Sequence, residues 1–191
     1  AKHISMYALQ PEDGTPIYTD YLNGELPDGD EVAALYDYGR ALLAEKGFRR
    51  YEVSNFCKKG FESRHNLNYW RRGEYVGLGV SASSFFGGHR LLNTTDLDEY
   101  MKCILSGFYP VIDNVEVTPQ DARFEFVMLG LRTVYGVSGA AYKAQFGTDW
   151  KEDFADAYRR TQKYLEEEGD ITRIRDEYLF VQNQILSEYA G

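Results

Sequence analysis

The sequence predicts an α/β arrangement over residues 1–111 and a small, mainly helical, winged-helix-like domain over residues 112–191. Three observations carry that expectation. Strand-like and helical patterns alternate early in the chain, Pro110 and Pro119 bracket a change of pattern, and two helical stretches then lead into a short hairpin-like run.

Taken in order, HISMYAL (residues 3–9) is mostly apolar and ends at QPEDGTP, where Gly14 and Pro16 break regular structure. It reads as a buried strand entering a loop. LPDGDEVAALYDYGRALLAEKGF (26–48) offers Asp28 or Asp30 as N-cap, apolar positions at Val32, Leu35, Tyr36, Leu42 and Leu43, and Gly47 as the stop, which predicts an amphipathic helix. FRRYEVS (48–54) and EYVGLGVSAS (74–83) have strand character. With the first run they suggest parallel strands, too few to close a barrel, so earlier strands of a larger α/β protein are expected to precede them. TTDLDEYMKCILSG (94–107) predicts a helix capped by Thr94 or Thr95, and VIDNVEV (111–117) a strand or an extended linker. TPQDARFEFVMLGLRTVYG (118–136) begins as helices prefer, with Thr118 as cap, Pro119 at the first helical position and Asp121 in the first turn. A further helix is expected over DWKEDFADAYRRTQKYLEEEGD (149–170), a hairpin turning at residues 175–177 of ITRIRDEYLFV, and a last short helix in QNQILSEYA (182–190).

Composition narrows the function. With 191 residues, 43% of them apolar, the chain can fill one good core or two small ones. A net charge of −9 argues against nucleic-acid binding. No run reaches the ~18 apolar residues of a membrane span, and no secretory signal pattern opens the chain, so a cytoplasmic protein is expected. Cys57 and Cys103 lie 46 residues apart, which suits free thiols in a reducing compartment. Between Lys58 and Arg72, five basic residues meet the single acid Glu62. That island suits either a small anionic ligand or a solvated basic loop.

Two cysteines cannot hold an iron–sulfur cluster, which needs three or four thiolates, and His3, His65 and His89 are not spaced as zinc ligands. No catalytic residue is assigned. GLGVSA (77–82) matches the G-x-G-x-x-G/A fingerprint, with Glu99 at about the right distance, but the helix that the fingerprint requires is blocked by Gly87 and Gly88. It reads instead as a strand end whose glycines admit either a flat ligand or a tightly packed neighbour. SRHNLNYW (63–70) follows neither a helical nor a strand period. In one reading His65 offers its imidazole to iron or to proton transfer, Tyr69 and Trp70 form an aromatic wall, and Arg64 and Arg71 hold carboxylates. In the other, His65 and Asn66 satisfy backbone groups of a long loop and Trp70 plugs it to the core.

Three segments, HISMYALQPEDGTPIY, YEVSNFCKKGFESRHNLNYWRRGEYVGLGVSASSF and LGLRTVYGVS, together resemble the oxygen-independent coproporphyrinogen III oxidase-like radical SAM family, in its HemW heme chaperone branch. The HNxxYW signature falls on His65, Asn66, Tyr69 and Trp70. The resemblance implies the last strands and helices of a partial TIM-like radical SAM barrel (1–111) followed by the family's C-terminal domain (112–191). It implies S-adenosylmethionine and a [4Fe-4S] cluster in a longer parent, heme or porphyrinogen as ligand, and a heme-accepting protein as partner. The C-x-x-x-C-x-x-C motif is absent, so this chain by itself is not expected to cleave S-adenosylmethionine. Gly77, Gly79 and Ala82 are implied contacts of S-adenosylmethionine, the strand ends at Tyr7 and Ser54 should face the same cavity as these three, and His65 is implied as heme-associated. Cys57 stands where the family pattern suggests a small residue, and the terminal wing is short. The alternative reading is a non-catalytic interaction module that self-associates through an exposed strand edge.

Overall fold

The computed structural model describes residues 1–190, a mixed α/β chain whose described strands form three antiparallel three-stranded sheets. The first sheet is built from β1 (His3–Ser5), β2 (Arg49–Arg50) and β3 (Asn55–Cys57), with β3 in the centre. Both neighbours run antiparallel to β3, pairing Ile4 and Arg50 with Phe56. The parallel pairing expected of the first half is therefore corrected. FRRYEVS does not continue as one strand because the chain reverses at residues 52–54, where Tyr51 N–H donates to Asn55 O at 3.1 Å. The buried Glu52 carboxylate takes the Ser54 N–H at 3.1 Å and the Asn55 side-chain amide, which supplies the turn's polar groups with partners.

Between β1 and β2 lie α1 (Pro16–Leu22), which was not anticipated, and α2 (Gly29–Glu45). Asp28 caps α2 and forms a reciprocal capping box with Glu31, while Gly47, at φ 79°, takes the left-handed conformation that ends it. SRHNLNYW is not a loop: Arg64–Trp70 forms helix α3, capped by Ser63 Oγ on the Asn66 N–H at 3.2 Å. One good cap and the buried Leu67 suffice for two turns that sequence periodicity does not announce.

The expected strand at 74–83 reduces to an isolated bridge between Tyr75 and Phe85, followed by a turn over GLGVSA. The strands lie beyond it. β4 (Ser83–Phe86) and β5 (His89–Asn93) form a hairpin through Gly87 and Gly88, both at positive φ, the pairing a tight two-residue hairpin requires. α4 (Leu97–Leu105), capped by Asp96 rather than Thr94 or Thr95, leads to β6 (Val111–Glu116), which joins the free side of β5.

α5 (Pro119–Leu131) has the predicted start, with a Thr118–Asp121 capping box. Then follow β7 (Val137–Ser138), α6 (Gly139–Phe146), α7 (Trp150–Asp153), α8 (Ala155–Thr161), β8 (Leu165–Glu168), β9 (Ile171–Ile174) and α9 (Gln182–Ser187). The single helix expected over 149–170 is corrected: it breaks at Phe154 and its end, LEEE, is a strand. Leu165 lies opposite Ile174, and Arg173 reaches both Glu166 (2.5 Å) and Glu168 (2.6 Å), so cross-strand pairing overrides a helix-favouring composition. The hairpin accordingly turns at Gly169 and Asp170, not at residues 175–177, which open a 3-10 segment, Asp176–Val181.

Two cores result. The larger gathers Val127, Leu131, Tyr142, Trp150, Leu165 and Ile174 with the α9 side chains Ile185 and Leu186, and the smaller joins Tyr51, Cys57 and Leu67 with Trp70 and Val134. At the edge of the larger, Asp153 accepts from Tyr142 Oη (2.7 Å) and Thr148 Oγ1 (2.6 Å) and faces Arg123 at 3.6 Å. Burial opposes ionisation of Asp153, but the hydrogen bonds from Thr148 and Tyr142 and the Arg123 charge outweigh it and hold the carboxyl below the ordinary aspartate value. A depressed folded pKa contributes stability that is complete above the unfolded value and is lost as pH falls through the folded one. Urea midpoints of the wild type are thus expected to fall as pH drops from 5 towards 3, and to fall less steeply in Asp153→Asn; equal slopes would remove Asp153 from that account.

Candidate cleft between the first sheet and helices α3 and α5

A cleft of about 370 Å³ opens where four segments meet. The chain leaving β1 supplies Tyr7, and the reversal between β2 and β3 supplies Glu52, Ser54 and Asn55. α3 contributes Asn66, Tyr69 and Trp70, and the end of α5 contributes Leu129 and Arg132. A second hollow of about 340 Å³ under α2, lined by Met6, Leu9, Tyr21 and Leu35, has no charged side chain in its wall. The first is the stronger candidate because aromatic walls and convergent polar groups occur in it together.

α3 is held in place by a short hydrogen-bond chain. The buried Tyr51 hydroxyl sits 2.8 Å from His3 Nε2 and accepts from Asn66 Nδ2 at 3.4 Å, linking α3 to β1 and to the end of β2. Burial is the largest influence on Tyr51 and raises its pKa, so the hydroxyl stays protonated. Trp70 packs against the Tyr51, Cys57 and Leu67 cluster while forming part of the cleft wall. Tyr69 completes that wall and meets Tyr75 edge to face at 4.6 Å.

His65 lies one turn before Tyr69 on α3, exposed, with Nε2 3.0 Å from the Tyr69 hydroxyl and the rings edge to face at 4.7 Å. It stands beside the cleft wall and does not line the cleft. Arg64 is exposed and makes no ion pair among the described residues, and the Arg71 guanidinium lies 5.8 Å above the Tyr135 ring. Neither lines the cleft. Gly77, Gly79 and Ala82 are also apart from it, folded against the second sheet. The Gly77 N–H donates to Ser84 Oγ (3.0 Å), the Gly79 N–H to Tyr100 Oη (3.1 Å), and Ala82 O accepts from the Asn93 N–H (3.0 Å). A side chain at Gly77 would run into the Ser83 carbonyl oxygen, so this glycine is required for close backbone packing.

The structure thus brings Asn66, Tyr69 and Trp70 together with Tyr7 and Ser54, and adds Glu52, Asn55, Leu129 and Arg132, which the sequence reading did not single out. Arg132 has one signal in the sequence, its place in LGLRT at the end of a strongly capped helix. Glu52 has none beyond being an acid inside an apolar run. No group of three or more metal-ligating side chains occurs among the described residues, and the buried Cys57 and half-buried Cys103 are free thiols on separate elements. The three thiolates of a [4Fe-4S] cluster therefore have no match in this chain. No described helix is long and apolar enough to cross a membrane.

Residues 117–178 match the family described as the HemN C-terminal domain. Over most of its length the chain resembles the oxygen-independent coproporphyrinogen III oxidase-like radical SAM proteins, including the HemW heme chaperones. It is 35% identical over 149 residues to the heme chaperone HemW of Bacillus subtilis, covering 77% of this chain and 39% of that protein. It is 30% identical to the Lactococcus lactis HemW, covering 98% of this chain and 50% of that protein. The Bos taurus mitochondrial radical S-adenosyl methionine domain-containing protein 1 is 37% identical over 146 residues, 71% of this chain and 33% of that protein. The chain therefore spans between a third and a half of the length of these relatives. Among solved structures, Escherichia coli coproporphyrinogen III oxidase (HemN), described as a radical SAM enzyme, superposes with a TM-score of 0.70 at 14% identity, covering 87% of this chain and 42% of that one, a likeness of fold.

Proposed function

We propose that this chain is the C-terminal portion of a radical SAM protein of heme or porphyrin metabolism, and that it carries a porphyrin-binding surface formed by α3 and the adjoining cleft. The observation that carries the reading is the placement of Asn66, Tyr69 and Trp70 of the HNxxYW signature in one cleft with Tyr7 and Ser54. The exposed His65 imidazole beside Tyr69 is suited to meet the iron of a bound heme, the aromatic side chains to take its flat body. Heme delivery to an accepting protein is favoured over oxidation of coproporphyrinogen III by the relatives named as heme chaperones.

In the same reading, residues 1–111 derive from the later part of a TIM-like barrel and residues 112–191 form a winged-helix-like C-terminal domain. The start of the matched segment at residue 117 and the separate core around Val127 and Trp150 support that division. S-adenosylmethionine and a [4Fe-4S] cluster belong to the longer protein, near Gly77, Gly79 and Ala82, in a cytoplasmic setting suited to the two free thiols. A second reading, an interaction module, draws on the apolar row of α4 and the chain after it, where Leu105, Phe108 and Tyr109 are among the most exposed apolar side chains.

Heme titration of the purified chain, followed at the Soret band, tests the first reading. The wild type is expected to give a shifted band, with His65→Ala weakening binding at least tenfold and altering the band position. No shift in the wild type sinks the heme reading. An unchanged band and affinity in His65→Ala removes His65 as iron ligand.

A further inference from the structure

We infer that Arg132 is the anion anchor of the cleft and takes a carboxylate of the bound ligand. Every other half-buried arginine among the described residues has a carboxylate partner: Arg40 and Arg50 on Asp176, Arg72 on Glu125, Arg123 on Asp153, and Arg173 on Glu166 and Glu168. Arg132 has none. Its Nε donates to Met128 Sδ at 3.3 Å, a weak acceptor, and its two terminal nitrogens make no hydrogen bond to the described residues, yet neither is among the atoms sealed from solvent without a partner. They therefore keep some access to solvent, and Arg132 is among the residues that line the cleft.

The other charged group of the cleft, Glu52, makes no ion pair with Arg132 and is engaged by its own turn. Glu52 accepts from the Ser54 N–H with one oxygen and from the Asn55 amide with the other. Burial alone pulls the Arg132 pKa below the ordinary arginine value, the direction expected of a desolvated cation that lacks an acid. A carboxylate entering the cleft would relieve that cost with a forked pair of charge-assisted hydrogen bonds, while Tyr7, Tyr69 and Trp70 provide apolar and aromatic surface for the rest of the ligand. Arg132 follows α5 directly as its C-terminal cap, so a rigid helix sets its position. The helix end already favours a cation there, but that effect does not require a cleft.

The inference rests on the porphyrin-binding reading for one source of the carboxylate, a porphyrin propionate. The other source is the amino-acid end of S-adenosylmethionine. Metal-free protoporphyrin IX and its dimethyl ester, titrated by fluorescence, separate these from iron ligation because His65 then has no metal to bind. The wild type is expected to bind the free acid at least tenfold more tightly than the diester. Arg132→Gln should abolish that preference with unchanged circular dichroism, and Arg132→Lys should keep part of it. S-adenosylmethionine binding, measured by calorimetry, forms the second arm: weakening there in Arg132→Gln, with the porphyrin preference intact, assigns the carboxylate to the amino acid. If acid and ester bind alike and S-adenosylmethionine binding does not depend on Arg132, the inference is overturned and the porphyrin reading survives. If no porphyrin binds but S-adenosylmethionine binding needs Arg132, the porphyrin reading fails and the inference stands; binding of neither overturns both.

Discussion

Glu125→Ala is expected to lower the stability of the chain by about 3–5 kcal/mol, the range found when one member of a buried ion pair is removed. Glu125 on α5 accepts from Arg72 Nε at 2.8 Å and from Arg90 Nη2 at 2.5 Å, joining α5 to the second residue after α3 and to β5. The Arg72 and Glu125 side chains are only 11% and 13% exposed, so truncation leaves the Arg72 guanidinium with little water to replace its partner. Arg90 is largely exposed and should lose little. Urea unfolding of Glu125→Ala, Arg72→Ala and the double variant gives the coupling directly. A loss under about 1 kcal/mol for Glu125→Ala would place this pair with ordinary surface bridges.

The second large effect is expected at Trp150→Ala, again about 3–5 kcal/mol, through lost burial and the cavity left behind. Trp150 is 1% exposed and lies edge to face with Tyr158 at 5.5 Å and 6.4 Å from the Tyr189 ring. Its loss removes the indole from between Tyr158 of α8 and Tyr189 near the chain end, so near-ultraviolet dichroism should fade with the urea midpoint. Trp150→Phe, which keeps most of the volume, is expected to recover at least half of the loss. Equal destabilisation by both substitutions would point to the indole N–H rather than to packing.

The elements legible in the sequence are those whose ends carry their own chemistry. α2 and α5 are announced by Asp28 with Glu31 and by Thr118 with Asp121, because a cap acts within four residues and needs no distant partner. β8 was illegible for the opposite reason: LEEE favours a helix until Arg173 and Ile174 lie across from it. α3 escaped although Ser63 caps it, because its one buried side chain, Leu67, needs Tyr51 and Cys57 to pack against. The site divides in the same way. Asn66, Tyr69 and Trp70 stand together in one motif, whereas Tyr7 and Ser54, expected as strand ends to share a cavity with Gly79 and Ala82, line the cleft beside that motif instead, and Arg132 enters it from a helix more than sixty residues later.

The sequence by itself determined the resemblance to HemW- and HemN-type radical SAM proteins, the capped helices and the want of cluster cysteines, since motifs, caps and residue counts are local properties of the chain. Only the tertiary structure decided that the first sheet is antiparallel, that GLGVSA is a turn on the second sheet, and that Arg132 rather than Arg64 or Arg71 reaches the cleft. Strand direction depends on where the chain reverses. The partner of a charge depends on which segments, distant in sequence, fold against it.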